Sequence, residues 1–119
     1  NYRALWGINL DMVGAYNAEF PKEGYSMLNA PEVVQRVWDA GRTLGYSQQF
    51  VTRRHSEIVD DHYYVNSIAQ IPMIDVIDMR LGTGFFSAWH TKGDTIETID
   101  KSTLQAVGET ILAVIYQMR

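Results

Sequence analysis

The sequence predicts an α/β fold on three observations. Residues 4–13 and 71–79 are apolar at most positions, the pattern of strands covered on both faces. Residues 33–44 and 104–118 carry apolar side chains at helical spacing, the pattern of helices with one buried stripe. Strand and helix signals are interleaved, with no internal repeat or low-complexity segment between them.

Composition sets the bounds. A chain of 119 residues is one domain or part of one, and 46% hydrophobic residues are enough for a core at that length. A net charge of −4 with no basic run argues against nucleic acid as a partner. The absence of cysteine removes disulfides, thiolate nucleophiles and cysteine-type zinc sites, so any metal must be held by His and carboxylates. No apolar run reaches the roughly 18 residues of a membrane span. The chain lacks an initiating Met and enters strand-like sequence almost at once, so it is expected to be a piece of a larger protein.

The first strand, residues 4–13, carries Asp11 near its carboxyl end, before the turn signal Gly14. Ligands gather at such strand ends in open α/β sheets, and a carboxylate on an apolar strand needs a partner. Residues 16–28 read as a long connection, with Tyr16, Phe20 and Tyr25 folding it over the surface as a lid. A helix then opens with Asn29 as cap, Pro31 in the first turn and Glu32 three residues after the cap. Its buried stripe is Val33, Val34, Val37, Trp38, Gly41 and Leu44, and Gly45 stops it. Residues 50–52 read as a short strand, and Arg53-Arg54-His55 as a solvated stretch.

Asp60-Asp61-His62 places two carboxylates and an imidazole together, with one carboxylate free to cap a short helix over residues 63–69. In the second strand, residues 71–79, Pro72 stands at the start, Asp75 interrupts a buried-looking run and needs a partner, and Asp78 suits a loop anchor. The last helix has two competing starts, a capping box of Ser102 with Gln105 and a cap at Asp100. Its expected buried stripe is Leu104, Val107, Ile111, Ile115 and Met118.

The remaining stretch, residues 87–95, is polar and small yet holds Trp89 beside His90, with Asp94 four residues on. Imidazole is the commonest protein metal ligand, so His90 is a candidate when taken with Asp11 and the Asp60-Asp61-His62 run. The motifs Asn9-Leu10-Asp11-Met12-Val13-Gly14, Asp60-Asp61-His62, Ile71-Pro72 and Trp89-His90-Thr91…Asp94-Thr95 occur in this order and at these spacings. Together they resemble the C-terminal half of the family-28 zinc metallopeptidases and of the animal-type glutaminyl-peptide cyclotransferases. The resemblance covers nearly the whole chain, and its wording is similar to exported members from Bacteroides-type bacteria.

The resemblance implies a three-layer α/β sandwich with a mixed sheet, the zinc-exopeptidase fold, of which residues 1–119 form the C-terminal portion. It implies zinc as cofactor, peptide N-termini as substrates, and an exported location, periplasmic or membrane-anchored. It makes His90 a zinc ligand and puts the general-base glutamate and other ligands in the N-terminal half, so this portion alone is expected to be inactive. In the cyclotransferase branch, a single zinc polarises the γ-carbonyl of an N-terminal glutamine, and Asp11 and Asp60 belong to a carboxylate network. In the aminopeptidase branch, two zinc ions activate water and Asp11 is also a metal ligand. Asp60 in place of a small residue, Trp89 in place of Tyr, and Phe85 as a pocket wall favour the cyclotransferase. Asp75 departs from that branch, where His is usual, which leaves the substrate open. The alternatives are the two-zinc aminopeptidase and a non-catalytic binding domain.

Overall fold

The computed structural model describes residues 2–85 and 91–117. Its elements in order are β1 (Gly7–Asp11), β2 (Phe20–Lys22), α1 (Gly24–Asn29), α2 (Pro31–Thr43), β3 (Phe50–Arg54), α3 (Asp61–Tyr64), β4 (Met73–Ile77), β5 (Met79–Arg80), β6 (Gly84–Phe85) and α4 (Lys101–Gln117). A π-helical turn, Val65–Ala69, follows α3, and a 3-10 turn, Ile96–Thr98, precedes α4. No helix among the described residues is long and apolar enough to cross a membrane.

The β-structure is mixed. β1 pairs with β4 in parallel, β2 with β3 in parallel, and β5 with β6 antiparallel. The Met79 N–H donates to the Glu19 carbonyl at 2.9 Å and the Glu19 N–H to Asp78 Oδ1 at 3.1 Å, which seats β2 beside the β4–β5 chain. Asp78 is thus the loop anchor its position suggests.

Alternation along β4 divides the molecule into layers. Ile74 and Val76 enter the apolar core with Val33, Val34 and Val37 of α2 and Val107 and Val114 of α4. Asp75 lies between them on the other face, against α1 and α3. Trp38 is core, as its place in the stripe requires, with its indole N–H shared between the carbonyls of Phe20 (3.1 Å) and Val51 (2.9 Å). It therefore staples β2 to β3 from the helix layer. Gly41 lets α2 approach that joint, because a Cβ there would lie 2.5 Å from the buried Phe50 ring.

Three expectations are corrected, and one open choice is settled. Residues 16–28 are not an unstructured lid. Phe20 is fully buried and builds β2, and Glu23 caps α1 through the N–H groups of Tyr25 and Ser26. Asn29 closes α1 instead of capping α2, whose N-cap is Ala30 with no side-chain bond. Leu44 stands 44% exposed at the end of α2, outside its stripe. Finally, Asp100 wins the α4 start. It accepts from the Ser102 and Thr103 hydroxyls and the Thr103 N–H, so the Ser102 side chain is spent on Asp100.

The α4 stripe is also rotated from expectation. Thr103, Ala106, Val107, Thr110 and Val114 are its buried residues, whereas Leu104 and Ile115 stand 43% and 48% exposed. Small side chains permit close approach to α2, and the Thr103 hydroxyl finds the Ala15 carbonyl at 2.9 Å. Met118 lies outside the described residues.

Candidate functional site

The polar centre begins with strand register. β1 and β4 align so that Asn9 faces Asp75 and Asp11 faces Ile77. Parallel partners present side chains to the same face, so Asn9 and Asp75 meet, with Asn9 Nδ2 donating to Asp75 Oδ1 at 3.0 Å. The same amide nitrogen donates to Asp60 Oδ2 at 3.2 Å. Asp60 is the N-cap of α3, and its other oxygen accepts from the Asp61 N–H at 2.8 Å. The helix start that was expected near Asp61 is what aims Asp60 at β1.

The helix turn also drives His62 inward, where it is fully buried. Its Nε2 lies 2.6 Å from Glu23 Oε1, and its Nδ1 lies 3.6 Å from Asp75 Oδ2. Glu23, also fully buried, accepts from five donors: the N–H groups of Tyr25 (2.7 Å), Ser26 (3.0 Å) and Ile58 (2.9 Å), the Ser26 hydroxyl (2.7 Å) and His62. Ser26 Oγ in turn accepts the Asp75 N–H at 2.8 Å, closing a ring between α1 and β4.

Burial alone pushes the Glu23 carboxyl up. The bond from His62, with the Ile58, Ser26 and Tyr25 donors, outweighs it and holds the group at about 2. Burial pushes Asp75 up to about 8. His62 and the Asn9 amide pull against that push, and the Asp60 carboxylate adds to it. Burial disfavours a charged His62, but the Glu23 bond and the nearby Asp75, Glu23 and Asp60 charges outweigh it and raise its pKa. A dry cluster with three carboxylates cannot carry them all ionised without compensation. Burial of Asp75 and the carboxylates around His62 thus both favour the protonated forms of this pair. Nδ1 of His62 and Oδ2 of Asp75 lie 3.6 Å apart, longer than a hydrogen bond, and both are buried without a hydrogen-bond partner among the described residues.

Asp60, His62 and Asp75 each offer a ligand atom within 4.8 Å of the others, a donor set of the chemical type zinc accepts. His62 and Asp75 are fully buried, however, and Asp60 already accepts from Asn9 and Asp61. A catalytic zinc needs an open fourth position. This closed cluster suits proton sharing and not the seat of a catalytic ion.

Asp11 ends β1, two residues beyond Asn9 on the same face, and Met12 turns the chain away with φ 54°. With Asp94 it lines a cavity of about 270 Å³. Phe85 is half-buried in β6, opposite Met79. Trp89 and His90 lie outside the described residues. Asp60 thus sits in the polar centre and Asp11 beside it on β1, whereas Phe85 belongs to the β5–β6 hairpin. Asn9, Glu23 and a specific role for His62 were missed in the sequence. The available signal for Glu23 was Ser26 three residues on, the spacing of a capping residue and its N3 partner.

The model of peptidase family M28 matches residues 1–115. A search of curated proteins gave no match. Among solved structures, the chain is similar to a glutaminyl cyclase from Bacteroides thetaiotaomicron bound to N-acetylhistamine, at 48% identity, over 97% of this chain and 39% of that one, with a TM-score of 0.93. It is similar to a Zn-dependent exopeptidase from Parabacteroides distasonis, at 49% identity, over 97% and 40%, with a TM-score of 0.92. A leucine aminopeptidase precursor from Bacteroides thetaiotaomicron is 47% identical over 97% and 38%, with a TM-score of 0.90. The chain therefore spans about two fifths of the length of each of these structures.

Proposed function

The chain belongs to peptidase family M28, and on that premise we propose that the enzyme it forms part of converts N-terminal glutamine to pyroglutamate with release of ammonia. Solved structures similar to it include both glutaminyl cyclases and zinc exopeptidases. The observation that favours cyclisation is the carboxylate Asp60 joined through Asn9 to Asp75, a group that holds its proton up to about pH 8.

In this reaction the substrate's α-amine attacks its own γ-carboxamide carbon. A C–N bond forms, the amide C–N bond breaks, and one proton passes from the attacking amine to the departing ammonia. A carboxylate poised among other carboxylates suits that transfer. In this reading Asp60 is the shuttle, Asp11 is its neighbour in the network, and Trp89 and Phe85 wall the substrate. His90 is the ligand this chain gives to zinc, which supplies polarisation of the carbonyl when bound. The remaining ligands and the general base belong to the length of the relatives that this chain does not span.

The second reading is a two-zinc aminopeptidase with Asp11 as a metal ligand. It is favoured by the pairing of Asp11 with Asp94 on one cavity. Zinc per chain and the Asp60→Ser variant of the full-length enzyme separate the two. One zinc, and a loss of ~10²-fold in cyclisation turnover, the scale of a positioned proton-transfer group, supports the first. Two zinc ions with turnover unchanged in Asp60→Ser refutes it in favour of the second.

A further inference from the structure

One carboxylate in the proposed reaction is fed by a chain of buried groups that has no assigned role. From the interior outward, Glu23 Oε1 lies 2.6 Å from His62 Nε2, His62 Nδ1 lies 3.6 Å from Asp75 Oδ2, and Asn9 Nδ2 lies 3.0 Å from Asp75 Oδ1 and 3.2 Å from Asp60 Oδ2. Glu23, His62 and Asp75 are fully buried, whereas Asn9 and Asp60 are half-buried. We propose that Glu23, His62 and Asp75 form a buried relay that, through the Asn9 amide, positions the Asp60 carboxylate. The inference rests on the reading of Asp60 as proton shuttle. Glu23, His62, Asp75 and Asn9 are positioning residues, since their contacts are with one another and with Asp60.

The chemistry runs in one direction. Glu23 takes five donors and no competing charge, so it is a fixed anion at the inner end. A fixed anion orients His62 with its Nε2–H inward, as a carboxylate orients a ligand histidine. Nδ1 is thereby turned to Asp75 Oδ2, 3.6 Å away, so that a proton on either atom offsets the charge of the pair. With that proton in place Asp75 stays a weak acceptor, and the Asn9 amide is shared with Asp60. When the proton leaves, Asp75 becomes a full anion. It then competes with Asp60 for the same N–H. The groups facing the pair are Glu23 from before α1, Asp60 from before α3, the phenol ring of Tyr25, and the Ser26 hydroxyl beneath Asp75. No Lys or Arg among the described residues bonds to Glu23, Asp60, His62 or Asp75, so protons on His62 and Asp75 limit the negative charge of the cluster.

The test uses the full-length enzyme, in two variants and one spectrum. Asp75→Asn keeps the shape, accepting from Asn9 and donating to His62 Nδ1, but cannot lose a proton. It is expected to lose the alkaline limb of the kcat profile. Asn9→Ala cuts the link to Asp60 and is expected to lower kcat by roughly tenfold with KM unchanged. Ring-nitrogen NMR of His62 reads the relay without the reaction: Nδ1 is expected to be protonated or proton-shared at pH 7, and a plain acceptor in Asp75→Asn. Wild-type kcat and pH profiles in both variants, or a free lone pair on Nδ1 at pH 7, overturn the relay. If neither variant folds, the His62 spectrum of the wild type alone decides between these outcomes. Failure of the functional reading is distinct. It appears as absent glutaminyl cyclisation with the expected His62 spectrum intact.

Discussion

Replacing Glu23 by Gln changes one oxygen for nitrogen and nothing in size, yet the surroundings make it a severe substitution. Both carboxylate oxygens accept, three donors on Oε1 and two on Oε2. Whichever way Gln is turned, its NH₂ group faces at least two buried donors and cannot accept from either. The electrostatic loss follows from linkage. The carboxyl is held at about 2 in the fold against 4.5 in the unfolded chain. At about 1.4 kcal/mol per pH unit, that difference is worth about 3 kcal/mol at neutral pH. Because the folded value is depressed, this stability is complete above the unfolded value and is lost as pH falls from about 5 toward 2. Urea unfolding followed by tryptophan fluorescence, at pH 7 and at pH 3, measures both parts. Glu23→Gln is expected to unfold about 3 kcal/mol more easily at pH 7, with the gap to wild type shrinking to less than about half at pH 3. A gap under about 1 kcal/mol at pH 7, or one that stays constant with pH, would refute the assignment of Glu23 as a donor-saturated anion.

Two further outcomes follow from positions already described. Gly41→Ala places a Cβ 2.5 Å from a ring held on two sides by Phe20 and Trp38, so the ring cannot yield. Denaturant unfolding is expected to show a loss of about 1–3 kcal/mol, and no loss would mean that α2 can shift outward. His90→Ala in the full-length enzyme is expected to remove zinc, measured by elemental analysis after dialysis. Retention of wild-type zinc would exclude His90 as a ligand.

Much of the layered plan was legible because it rests on apolar periodicity. The two strands that read as covered on both faces became β1 and β4, and the stripe around Trp38 became the core side of α2. What periodicity missed was short or polar. β2 is three residues long, with Phe20 and Pro21 buried, too little for a pattern, so residues 16–28 read as loop. On α4 the long apolar residues drew attention, but the buried face was chosen by close approach, which favours Thr103, Ala106 and Thr110. The site was half legible for the same reason. Asp75 stood out as a carboxylate in need of a partner and Asp60 within the Asp-Asp-His run, whereas the Asn9 amide that joins them lies 66 and 51 residues away in sequence, where only the fold could supply it.

The pairing of Asn9 with Asp75 also bears on how the strands find their alignment. Ile74 and Val76 are equally apolar neighbours on β4, and β1 offers Ile8 and Leu10 around Asn9. A ladder slipped by two residues keeps each apolar side chain on its own face, so these residues alone tolerate it. A slip of two residues would set Asn9 opposite Met73 or Ile77 and leave the Asp75 carboxyl stranded in a dry layer. The polar pair thus acts as a key cut into an otherwise featureless edge. The chain cannot close this part of its sheet correctly without at the same moment assembling its chemical centre.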